Sequence, residues 1–114
     1  MEDFVNFSLA KKLKEKGYPN KTPHQYNGQG QICVSIVGED YPYPCPEIHQ
    51  VLKWLREDKN VEVIPSFDYE ERIWGYQVGD MNLRVDVILA YLWDFKTYES
   101  AALAGILYCL DNLI

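Results

Sequence analysis

Nowhere does the chain approach the roughly eighteen consecutive apolar residues of a membrane-spanning helix, so no transmembrane segment is expected. Cysteine is scarce. The three that occur, Cys33, Cys45 and Cys109, are odd in number and have no CxxC spacing. Neither a disulfide framework nor a zinc ribbon is indicated. The opening Met-Glu-Asp-Phe-Val-Asn is acidic and lacks the apolar core of a secretory signal, so a cytoplasmic protein is expected. The glycosylation patterns at Asn6 and Asn20 are then chance matches. Motifs of the HExxH, P-loop and GxSxG kinds are missing. The expectation is a non-enzymatic protein without cofactor or metal.

Positive charge is also in short supply. Residues 1–45 carry five lysines against five acidic residues, whereas residues 46–114 carry six basic and twelve acidic ones, which accounts for the whole net charge of −6. Such a surplus keeps a protein soluble and opposes binding to nucleic acid or to anionic membrane.

What is present is a globular composition, 47% hydrophobic with 16 aromatic residues in 114, sufficient for one domain with a core of its own. Ser8 is an expected N-cap for a short helix with Gly17 as its C′ residue and Pro19 as a stop. Lys11, Lys12, Lys14 and Lys16 on that helix read as a solvated face that complements its negative end. Asn27-Gly28-Gln29-Gly30 reads as a hairpin connection before a strand Gln31–Val37. A phosphate loop would need a helix after the glycines. His24, in the same turn-rich region, has no partner at metal-ligand spacing.

The stretch "YPYPCPEIHQVLKWLRED" has prolines at alternate positions, which is not the spacing of a PxxP ligand. It reads as a stiff helix entry, with Pro46 at the first helical position and Ile48, Val51, Leu52 and Leu55 as one apolar stripe. Three strands are then expected. They are Val61–Phe67, with Pro65 marking an edge or bulge, Ile73–Val78 ending at a Gly79-Asp80 turn, and the alternating run "LRVDVILAYLWDF" over 83–95. Helical spacing fits part of that last run as well. Thr97 caps a final helix that is apolar around much of its circumference and must be covered on more than one side. The expected fold is a single α+β domain spanning 1–114, an antiparallel sheet of about four or five strands with three helices, in the order α-β-β-α-β-β-β-α.

Three segments, "YPYPCPEIHQVLKWLREDKNVEVIP", "WGYQV" and "FKTYESAALAGILYCLDNLI", resemble small uncharacterised proteins of Bacteroides-type bacteria and of their phages and mobile elements. The resemblance covers roughly residues 42–78 and 95–114. It implies a bacterial or phage cytoplasmic protein of α+β fold and assigns no activity. Residues 46–114 also read in the order of a double-stranded-RNA-binding domain, but "TYESAA" stands where such domains place lysines.

Two groups of polar residues invite a chemical reading. Cys45 and His49 are four apart near a helix start, where a dipole and an imidazole lower a thiol pKa, yet no third orienting group is evident. Asp68, Glu70 and Glu71 match no calcium loop and read as solvated carboxylates. The aromatics carry the better signal. Trp54, Tyr69, Trp74 and Tyr76 are candidate binding residues, with Trp93 a further large ring, because Tyr and Trp are enriched at binding surfaces. Cross-strand packing is the competing use of such rings. The function expected is therefore a small interaction or accessory protein with a protein partner, and a homodimer would cover the surplus apolar surface of Ile88–Trp93 and the last helix. The alternatives are an acidic mimic of nucleic acid that blocks a DNA-binding protein, and a divergent RNA-binding domain.

Overall fold

The computed structural model describes residues 4–19, 22–34, 41–80 and 88–114. The chain is α+β and divides into two compact units, Met1–Glu47 and Ile48–Ile114. Among the described residues each unit has its own three-stranded antiparallel sheet, in place of the expected single sheet of about four or five strands.

The first unit holds helix α1 (Phe7–Glu15) and strands β1 (His24–Tyr26), β2 (Ile32–Val34) and β3 (Tyr43–Pro44), in the sheet order β2-β1-β3. The N-cap of α1 is Asn6, not Ser8. Asn6 is extended, and its Oδ1 accepts the Leu9 N–H at 2.8 Å. Starting two residues earlier than expected brings Phe7 into the helix, where its ring lies 5.5 Å from both Tyr26 and Tyr43. Gly17 ends the helix as expected. At φ +88 it lets the Tyr18 N–H reach Leu13 O at 3.0 Å while its own N–H reaches Lys14 O at 3.1 Å, the paired bonds of a Schellman motif. Two of the lysines lie over rings: Lys11 Nζ is 4.7 Å from the centre of Phe7 and Lys14 Nζ 5.3 Å from that of Tyr43.

Asn27 closes the β1–β2 hairpin by accepting the Gln29 and Gln31 N–H groups on its Oδ1, and Gly30 supplies the left-handed residue at φ +83. Residues 35–37 of the expected strand Gln31–Val37 lie outside the described residues. The proline run does more than enter a helix. Tyr43 and Pro44 pair with Tyr26 and Gln25 as β3, an outer strand where proline's missing N–H is tolerated. This adds a strand to the expected order.

The second unit reads α2 (Ile48–Asp58), β4 (Val61–Asp68), β5 (Ile73–Asp80), β6 (Ile88–Phe95) and α3 (Tyr98–Asn112), with the sheet order β4-β5-β6. The expected stripe of α2, Ile48, Val51, Leu52 and Leu55, is buried. Pro46 is not its first residue, because Glu47 is tied in a bridge to Phe4 and the Pro46 carbonyl accepts the Val5 N–H at 3.1 Å. Asn60, at φ 56, makes the turn into β4; asparagine tolerates this left-handed conformation. Pro65 sits on β4, an outer strand as expected. Gly79 and Asp80 are not a turn: they extend β5 by pairing with Glu62 and Val61. Residues 88–95 are strand, which resolves the strand-or-helix ambiguity there; positions 83–87 of that run lie outside the described residues.

Alternation along β4 and β5 puts Val61, Val63 and Val78 on one face with Tyr76, and α3 crosses that face. Gly105 makes the crossing close, since a Cβ there would lie 2.5 Å from Val63 Cγ1. Ala101, Ala102, Ile106, Cys109 and Leu110 are buried beneath the helix, while Leu107 is exposed. On the opposite face the Trp93 ring lies across Gly75, where a Cβ would meet it at 2.4 Å.

Candidate functional site: an aromatic end of the second unit

The four aromatic residues singled out in the sequence divide in two. Trp54 is 8% exposed and Tyr76 is 6% exposed, so both serve the core. Trp54 lies on the buried side of α2, with Lys59 Nζ 5.4 Å from its ring. Tyr76 faces α3 beside Gly105 and lies 6.0 Å from Phe95. As fully packed rings they are removed from any exposed binding face. Trp74 is half-buried, and Tyr69 is 85% exposed.

Tyr69 and Trp74 belong to one row of rings. Phe67 and Trp74 are direct cross-strand partners on β4 and β5, with centroids 5.3 Å apart. Tyr69, in the loop that follows β4, stands edge-on to Phe67 at 5.1 Å. Tyr98, in the first turn of α3, stands edge-on to Trp74 at 5.6 Å. Phe95 pairs with Trp74 from β6 and links the row inward to Tyr76. All three contacts within this row have the edge-on geometry that the ring quadrupole favours.

The row forms because the ends of four elements meet there: the end of β4, the start of β5, the end of β6 and the start of α3. The hairpin loop is fixed by Asp68, whose Oδ1 accepts the Glu70 N–H at 2.9 Å and the Glu71 N–H at 3.2 Å, and by Arg72 at φ 56. The Asp68 carboxylate thus has a structural task in the turn. Thr97 caps α3 as expected, accepting the Ser100 N–H at 3.1 Å, which sets the position of Tyr98. In the sequence the rings are flanked by Asp68, Glu70, Glu71, Asp94 and Glu99, against Arg72 and Lys96, so the segments that carry them are acidic.

Phe67 and Tyr98 were missed as companions of Tyr69 and Trp74. The signal for Phe67 was available, because a loop of Tyr69–Arg72 between two strands fixes Phe67 opposite Trp74. Nothing local pairs Tyr98 with Trp74; that contact depends on where α3 crosses the sheet.

The Cys45–His49 spacing does not describe one helical turn, since Cys45 precedes α2 by three residues. Cys45 is buried, and burial pushes its thiol pKa up, the reverse of an activated thiolate. Beside it the Tyr26 hydroxyl donates to Val5 O at 2.7 Å, and burial together with the thiol raises the Tyr26 pKa to about 12. Thr22 Oγ1 accepts the Cys45 N–H at 3.1 Å and donates to His24 O, while the buried Gln25 side chain accepts the Tyr41 N–H. These polar groups satisfy one another and hold the first unit together.

No protein-family model, curated protein or solved structure matches the chain.

Proposed function

We propose that this protein is a non-enzymatic interaction module of a bacterial, phage or mobile-element system, and that it engages a protein partner through the aromatic end of its second unit. The observation that carries this reading is the row Tyr69–Phe67–Trp74–Tyr98, whose outer rings are 85% and 37% exposed while its inner rings are anchored on the sheet. Rigid aromatics on a fixed scaffold contribute contact area at low entropic cost, which is the chemistry of interface hot spots. The bacterial or phage setting rests on the sequence resemblance. A photo-crosslinking residue placed at Tyr69 in the native host should yield a discrete adduct, and one at exposed Lys53 on α2 should not. No adduct at Tyr69, or the same products from both positions, rules the reading out.

Self-association is a second reading, favoured by β6. This outer strand has no proline or lysine, and its successive residues Tyr91 and Leu92 are 68% and 48% exposed. Unprotected strand edges pair with one another. Light scattering should show a dimer that Leu92→Lys dissociates, and a 13.3 kDa species at every concentration would exclude it.

A further inference from the structure

We infer that the segment bound at the aromatic end is a polypeptide carrying arginine. The inference rests on the interaction-module reading and adds the chemistry of the partner. Two independent properties of the same surface point to a cation. Rings present a negative π face, and Tyr69, edge-on to Phe67, is 85% exposed, so most of that ring meets solvent. The charge flanking those rings in the sequence is of the complementary sign, with Asp68, Glu70, Glu71, Asp94 and Glu99, all exposed or half-buried, outnumbering Arg72 and Lys96. An apolar partner would gain nothing from that rim and would desolvate it at a cost. An anionic partner, nucleic acid included, would be repelled.

Arginine suits the site better than lysine. Its planar guanidinium stacks on a ring while its N–H fork reaches a carboxylate, and both are offered within Tyr69, Glu70 and Glu71. The chain itself uses the same attraction on α1, where lysine ammonium groups lie over Phe7 and Tyr43. A single guanidinium in water gains little. A segment that spans from Tyr69 to Tyr98 engages several rings and carboxylates at once.

The test titrates the full chain with an Arg-Gly repeat peptide, following the Trp74 indole and the Tyr69 and Tyr98 ring signals by NMR. A Glu-Gly repeat, a Ser-Gly repeat and free arginine at equal guanidinium concentration serve as the comparison arms. The expected result is a saturable shift of those rings with the arginine peptide alone, weakening as salt is added. Tyr69→Phe should retain the affinity, whereas Tyr69→Leu, equally apolar but without a π face, should lose roughly two- to fivefold. Glu70→Gln with Glu71→Gln should lower the affinity and flatten its salt dependence. Unmoved rings, equal shifts with Ser-Gly or with free arginine, or full affinity in Tyr69→Leu would each overturn the inference. If Tyr69 still crosslinks in the host while the arginine peptide leaves the rings unmoved, the module reading stands and only the partner's chemistry is wrong.

Discussion

At Gly105 a single hydrogen decides how closely helix and sheet approach. The Cβ of Gly105→Ala would fall 2.5 Å from Val63 Cγ1 and 3.1 Å from Tyr76 Cδ1. Val63 is β-branched and held in a strand, so it has no alternative rotamer to adopt cheaply. Overpacking costs roughly 1–3 kcal/mol, more than the ~1 kcal/mol that alanine gains over glycine within a helix. Gly105→Ala should therefore lower the urea midpoint without changing the slope. Cys109, one turn further on, supplies a pH prediction. Burial raises its thiol pKa from 9.0 to about 12, so the folded form favours the neutral thiol. That contribution is fully present below pH 9 and is lost as pH rises toward 12. Urea unfolding between pH 8 and about 11 should show stability falling with pH, and Cys109→Ala should have a shallower fall. An identical slope in both proteins would show that the thiol is not what resists ionisation. Tyr69 is the counter-case: at 85% exposure, Tyr69→Leu should leave the midpoint unchanged while weakening partner binding.

Among the elements, α3 illustrates what a sequence discloses and what it withholds. Thr97 as cap, the start at Tyr98 and a helix apolar around much of its circumference follow from local chemistry and periodicity. The structure has the cap and the start and buries Ala102, Ile106 and Cys109, while Leu113 at the C-cap is half-buried and Leu107 is exposed. Thr97→Ala should cost about 1 kcal/mol, read as a lower thermal midpoint, because the Ser100 N–H loses its acceptor. The aromatic end depends on the same cap, so its ring signals should broaden or shift in that variant. What was not legible is long-range. Trp54 and Tyr76 look as available as Tyr69 in the sequence, since all are large rings beside polar residues. The difference lies in the face each occupies once α2 and the β4–β5 register are set. The proline run was misread for a similar reason: its two-residue pairing with β1 needs a partner strand some eighteen residues away, beyond any local signal. Asn6 in place of Ser8 is a smaller miss, between two good caps two residues apart.

For the whole molecule, charge and topology point in different directions on nucleic acid. The order of the second unit, helix–strand–strand–strand–helix, is the one expected from the sequence, and by itself it invites an RNA-binding reading. A fold does not bring its function with it. Duplex affinity comes chiefly from neutralised phosphates, and residues 46–114 have twice as many acidic as basic side chains, with Glu99 in the first turn of α3. Gel-shift titration with duplex RNA and DNA at physiological salt should show no complex. Micromolar binding that weakens steeply with added salt would overturn this.

The ring row has an optical consequence. Phe67, Trp74 and Tyr98 are locked at interplanar angles of 60° and 85°, so the indole transitions sit in a fixed, handed arrangement with their neighbours. Near-ultraviolet circular dichroism reports such fixed packing and vanishes when side chains lose their order even while helices and strands persist. The protein has three tryptophans, so the part of that signal lost in Trp74→Phe is the part that reports, without any label, on the junction where sheet, hairpin and helix meet.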